Sequence, residues 1–155
     1  MIHTQKRMRL CITLLILNLI FIWGNSLLPG EISGAISGLV KNLLSYFFPG
    51  EGDPQTGHGL LRKIAHFMEF CCLGMILCWL HAMLEKKPWY SLIYSILVAC
   101  ADEGIQCLVP DRGPGIRDVL IDTSGAVLGM LLLLAGHAVY KKRKQKTFYL
   151  KENTK

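Results

Sequence analysis

Apolar residues run in four long stretches along this chain, and the charged residues that interrupt them fall at one end of each. The stretches cover about residues 10–28, 64–84, 89–109 and 119–140. Crossing the hydrocarbon core of a bilayer takes roughly 20 mainly apolar residues, so each is long enough to be a span. Spans joined in sequence alternate in direction. Lys63, His66 and Glu69 then open the second span, Asp102, Glu103 and Gln106 close the third, and Asp118 and Asp122 open the fourth, all on one side of the membrane. Ionisable groups at membrane depth are costly, and they are usually inward-facing, paired and functional. The pattern predicts an all-α polytopic bundle of four transmembrane helices with a polar site near one face.

Between the first two stretches the periodicity changes. Ile32, Ile36, Leu39, Val40, Leu43, Leu44, Phe47 and Phe48 recur at helical spacing, with Ser33, Ser37, Lys41, Asn42 and Ser45 between them. That is an amphipathic helix over about residues 32–48, whose polar face suits the membrane interface in the first outer loop. Pro29-Gly30 and Pro49-Gly50 punctuate its ends. Residues 51–59, rich in glycine and polar side chains, read as a loop, and residues 110–115 as a tight outer turn.

Composition agrees. Hydrophobic residues make up 52% of the chain and the mean hydropathy is +0.37, which together take it out of the ordinary soluble class. The net charge of +6 does not indicate nucleic acid, because the basic residues cluster where apolar stretches end. With the N-terminus inside, the inner side holds Lys6, Arg7, Arg9, Lys86, Lys87 and the basic tail 141–155, whereas the outer side holds only Lys41, Arg62, Lys63, Arg112 and Arg117. Cytoplasmic loops carry the Lys/Arg excess, so both termini are expected in the cytoplasm. The basic start and apolar core of the first stretch also fit a signal peptide, but no small-residue cleavage site follows, so a retained anchor is expected. The six cysteines form no CxxC pair and read as small apolar packing residues.

The polar residues have a helical geometry. Lys63, His66 and Glu69 stand at i, i+3, i+6, a slanted stripe over two turns. Glu103 and Gln106 share a face, with Asp102 about 100° from Glu103. Asp118 and Asp122 stack at i, i+4, and Gly125 and Gly129 carry that face onward with small-xxx-small spacing, which lets helices approach closely. Asp118 also suits a helix N-cap. Asn25 and Ser26 end the first span on the same side. Carboxylates with a histidine can hold a hard cation such as magnesium, act as acid and base, or clasp helices together by ion pairs. Spacing alone selects none of these.

At these residues the chain resembles the VanZ-like family of small bacterial membrane proteins. The resemblance rests on Arg62-Lys63-Ile64-Ala65-His66-Phe67-Met68-Glu69-Phe70, on Asp102-Glu103-Gly104-Ile105-Gln106, and on Arg112 followed by Asp118, Asp122 and Gly125. In the family's pattern these read RKxxHxxE(Y/F), DExxQ, R and DxxxDxxG. Phe70 stands where an aromatic with a hydroxyl is common. The resemblance implies a multi-pass protein of the bacterial plasma membrane, and the founding member is associated with low-level resistance to the glycopeptide teicoplanin. It brings no agreed reaction and no agreed catalytic residue.

The residues and the resemblance together lead to a cell-envelope factor whose outer-leaflet pocket engages an envelope lipid or a glycopeptide-like ligand. Its site would comprise Lys63, His66, Glu69, Asp102, Glu103, Gln106, Arg112, Arg117, Asp118 and Asp122, with the cations on phosphate or carboxylate groups. The rival is a membrane-embedded hydrolase or transferase of a lipid-linked precursor, with His66 and Glu103 as acid and base. The topology has a direct check. In a cysteine-free background, a single cysteine at Asp53 should be labelled by an impermeant reagent in intact cells, and one at Lys86 should not. The opposite result inverts the orientation.

Overall fold

The computed structural model describes residues 2–29, 32, 34, 35, 38, 39, 57–110 and 115–152. Among them the secondary structure is helical, in four long elements: α1 (Ile2–Ser26), α2 (Gly57–Met83), α3 (Trp89–Gln106) and α4 (Ile116–Glu152). Three are long and apolar enough to cross a membrane, over Thr4–Ser26, Leu61–Met83 and Ile116–Thr147. The remaining helix, α3, is shorter. At 1.5 Å per residue its 18 residues reach about 27 Å, just short of the hydrocarbon thickness.

The element ends differ from those read in the sequence at three places. Helix α2 begins at Gly57, inside the stretch taken as loop. Helix α3 stops at Gln106 and not near residue 109, because the chain turns over residues 107–110 into Pro110, which cannot continue a helix. Helix α4 runs on past Tyr140 to Glu152, since the basic tail is rich in good helix formers and holds no glycine or proline. Its 37 residues would span about 55 Å, far more than a bilayer, so its charged end stands clear of the hydrocarbon. Most of the amphipathic segment at 32–48 and of the turn at 110–115 lies outside the described residues.

Cross-contacts fix the directions. Near one end of the bundle Asn25 meets Glu69 and Gln106 meets Ser26; toward the other, the Cys11 thiol reaches the Ile76 carbonyl and His81 pairs with Ser91. The helices therefore run up, down, up, down, with α2 and α4 parallel. These two form the most extensive contact in the bundle. The reason lies in small residues. A Cβ at Gly125 would run into the Phe67 carbonyl, one at Gly129 into that of Cys71, and one at Gly74 into that of Ala126. Backbone meets backbone along this seam, close enough for Cα–H···O contacts, which each contribute about 0.5–1 kcal/mol.

Below the polar end a small apolar core gathers Ile22, Phe70, Leu73, Leu77, Ala99 and Ala126, all buried. Helix α3 is inverted relative to a soluble helix. Its buried face reads Ser91, Ser95, Ala99, Asp102, Glu103 and Gln106, while Ile93, Tyr94 and Leu97 are exposed. Apolar side chains also cover the outside elsewhere, including Ile16, Leu17 and Phe21 on α1 and Leu131 on α4. Apolar surface of that extent is stable against lipid, not water. The six cysteines are free; Cys11, Cys71 and Cys78 are buried and pack as expected, whereas Cys72, Cys100 and Cys107 are exposed and do not.

The glycine seam makes a sharp expectation. Gly74→Ala, Gly125→Leu and Gly129→Leu each push side-chain atoms into backbone, and overpacking of this kind costs about 1–3 kcal/mol or more. Each should lower membrane abundance and the melting temperature in detergent. Gly24 has open space around it, so Gly24→Ala should be neutral or stabilising by up to about 1 kcal/mol. Equal melting temperatures for all four variants would remove the seam as the organising contact.

Candidate functional site

Each helix sends polar side chains to one layer at the end of the bundle away from the chain termini. Helix α1 contributes Asn18, Asn25 and Ser26. They share its inner stripe with Cys11 and Ile22, at the spacing that keeps residues on one helical face. Asn25 Nδ2 donates to Glu69 Oε1 at 2.8 Å, and Asn18 Nδ2 reaches the Glu69 carbonyl at 3.5 Å. Ser26, fully buried, accepts from Gln106 Nε2 at 3.3 Å.

Helix α2 brings His66 and Glu69, both buried. His66 Nδ1 lies 3.7 Å from Glu69 Oε2 and 3.9 Å from Asp102 Oδ2, so the ring stands between carboxylates of two helices. Arg62 and Lys63 are half-buried one turn above, and the Lys63 ammonium is 3.6 Å from Asp118 Oδ1. Asp118 is thus not an N-cap. It lies in the first turn of α4, where its carboxylate meets the cation across the seam as well as the helix dipole.

Helix α3 closes the layer. Gln106 Nε2 also donates to Asp102 Oδ2 at 2.8 Å, one turn back on the same helix. Glu103 turns the other way, and its Oε2 accepts the Gly115 backbone N–H at 2.9 Å. That bond ties the end of α3 to the residue just before α4, which fixes where α4 starts. Asp122 comes from α4 and is 2% exposed. The seam puts it there: with Gly125 against Phe67, the turn before Gly125 faces the turn holding His66.

A cavity of about 10 Å³ opens between these groups, room for roughly one water or ion. Arg62, Lys63, His66, Glu103, Gln106, Asp118, Ile121 and Asp122 line it. A far larger cleft of about 640 Å³ lies at the opposite end of the bundle, between Arg7, Trp79 and Tyr140, but its walls are mostly apolar. The ionisable side chains converge on the small one.

The structure therefore gathers Lys63, His66, Glu69, Asp102, Glu103, Gln106, Asp118 and Asp122 into one layer. Arg117 is exposed and does not line the cavity, and Arg112 lies outside the described residues. Arg62 and Asn18 belong to the layer, although the sequence reading left both out of its site. Arg62 resembled a residue that merely snorkels to head groups. Asn18, an amide in the middle of an apolar run at i−7 from Asn25, carried a signal that helical periodicity could have read. Phe70 packs fully buried in the apolar core.

Four buried acids share this layer: Glu69, Asp102, Glu103 and Asp122. Among the described residues the cations beside them are fewer, namely Arg62, Lys63 and whatever charge His66 takes. Such an arrangement can hold protons, a cation or the cationic part of a ligand, and can present Arg62 and Lys63 to an anion at its mouth. Burying these charges costs several kcal/mol per uncompensated group. An arrangement so costly points to a role beyond packing.

No curated protein and no solved structure matches the chain. The VanZ/LLP1 family model matches residues 6–137, taking in the whole polar layer and the glycine seam. That match covers most of the chain, and three of its helices are long and apolar enough to cross a bilayer; the chain is a membrane protein of the VanZ/LLP1 family.

Proposed function

We propose that this VanZ-like protein is a cell-envelope factor of the bacterial plasma membrane whose polar layer engages an anionic group of an envelope lipid or of a glycopeptide-like ligand. All four helices span the bilayer in this reading, and residues 32–48 lie along the outer interface. The basic residues after Tyr140 and before the first span are cytoplasmic, so the layer belongs to the outer leaflet. The inverted polarity of α3 supports its place as the third of four spans: a helix with a polar buried face and apolar exposed face suits a bundle surrounded by lipid.

One observation carries the functional reading. Arg62 and Lys63 stand half-buried at the mouth of a cavity whose other lining includes Glu103, Asp118 and Asp122 with His66. The two cations suit phosphate or carboxylate, and the acids beneath hold them there. The cavity itself is too small for a head group, so the ligand would bind across the mouth and send at most one small group inward. Tolerance to teicoplanin would follow from occupation of an envelope component.

A second reading has its own support. His66 and Glu103 line the same cavity, and His66 lies beside the Glu69 and Asp102 carboxylates. An imidazole so placed suits a general acid or base in a hydrolase or transferase of a lipid-linked precursor.

Near-isosteric variants separate a working site from a clasp. Glu103→Gln keeps an oxygen for the Gly115 N–H, and Asp122→Asn keeps its volume, so both should accumulate normally or gain stability from losing a buried charge. Overexpressed, each should lose the teicoplanin-tolerance or envelope-stress phenotype by about tenfold or more, the effect of losing about 1.4 kcal/mol at a site. Wild-type phenotype at normal abundance in both variants would leave only a structural clasp. Lys63→Ala should also lose the phenotype, since it removes the anion contact while the backbone seam holds α2 to α4.

A further inference from the structure

We propose that His66, Asp102 and Asp122 form a binding site for one divalent transition-metal ion of the zinc or manganese type. The inference rests on the polar layer being a ligand site, and it names what sits at its floor.

The three residues come from α2, α3 and α4, each buried, and one donor atom from each lies within 4.8 Å of the others. Donors around a single tetrahedral ion at about 2.1 Å lie about 3.4 Å apart, so ligation would draw any pair near that limit together by about 1.4 Å, through rotation of the side chains. A second observation points to a ligand independently of this clustering. Asp102 is fully buried; Oδ2 takes the Gln106 amide at 2.8 Å, while Oδ1 has no hydrogen-bond partner among the described residues. A buried carboxylate oxygen left without a partner is costly, and a bound ion would offset that cost. Size agrees as well, since the adjoining cavity has room for roughly one water or ion.

Donor chemistry sets the class. One imidazole with two carboxylates suits a first-row ion such as zinc or manganese, whereas magnesium prefers oxygen alone and keeps most of its water. Three protein ligands leave a coordination position open, as catalytic and substrate-binding zinc sites do. The surroundings look like an outer ligand shell. Glu69 stands 3.7 Å from the His66 ring and is itself held by Asn25, and Gln106 orients Asp102. An ion here would offset the excess of buried acids and offer its open position toward the mouth, where Arg62 and Lys63 meet an anion. A phosphate or carboxylate oxygen could then bind metal and cations together.

The test uses the full-length protein in detergent, stripped with chelator, its thiols alkylated so that the six free cysteines cannot bind zinc. Zinc, manganese and magnesium are titrated calorimetrically, and bound metal is counted by elemental analysis after desalting. The expected result is about one zinc or manganese per chain, with magnesium much weaker. Asp122→Asn and His66→Ala should weaken binding by more than about tenfold, and Gln106→Ala by about tenfold as an outer-shell change. Lys63→Ala should keep the metal while losing the envelope phenotype, so the metal proposal and the anion reading can fail separately. Wild-type protein that takes up no zinc or manganese overturns the metal site outright, and so does full retention in the well-folded Asp122→Asn variant.

Discussion

The structure depends on one contact, the parallel packing of α2 on α4 at backbone distance. Gly74, Gly125 and Gly129 leave no room for a Cβ, because the carbonyls of Ala126, Phe67 and Cys71 occupy the space. In a membrane no hydrophobic force draws helices together, since lipid is as apolar as leucine. Association relies on close packing and on polar contacts. The seam supplies the first and determines the second. Once Gly125 sits on Phe67, the turn above it has Lys63 and His66 on one side and Asp118 and Asp122 on the other. A slip of even one residue in this register would turn the Asp122 carboxylate away from α2 by about 100°.

Helix α3 is positioned by polar groups more than by apolar ones, and α1 by both. Helix α3 buries two serines, two acids and a glutamine, with Ala99 the only apolar residue on its buried face. Its hold on the bundle comes from Gln106 to Ser26, from Glu103 to the Gly115 N–H, and at the opposite end from His81 to Ser91 at 2.8 Å. Helix α1 is anchored through Asn25 and Asn18 to Glu69 and its backbone, and through Ile22 in the core. Acids that are costly to bury thus also join the helices. This double duty explains why a carboxylate in the layer cannot be read as purely functional or purely structural. It is also why removing a charge while keeping the shape is the informative change.

The layer has a graded character. At its mouth Lys63 is partly hydrated, its side chain 44% exposed, so its pairing with Asp118 is screened and weak. One turn deeper His66, Asp102 and Asp122 are shielded, and electrostatic interactions there are several times stronger than in water. On the proposed reading an anion at the mouth meets the hydrated cations first, and a small cation is held below.

The sequence by itself determined the helices, their apolar character and the side on which the polar residues gather. Length, periodicity and the ends of apolar runs are local properties, and a bilayer makes them decisive because backbone polar groups must be satisfied within each helix. Gly125 and Gly129 were legible as a packing face for the same reason, as was the gathering of eight of the ten singled-out polar residues at one end of the bundle. Pairing was not legible. That Glu69 bonds Asn25, that Glu103 turns to Gly115 while Asp102 turns to His66, and that Gly74 completes the seam are set by rotation and register between helices. Those depend on contacts between residues far apart in the chain, which no local pattern encodes. Element ends were the least readable, because nothing in the basic tail stops α4 and little marks Gly57 as a start. The tertiary structure alone decided that three donors from three helices converge on one point.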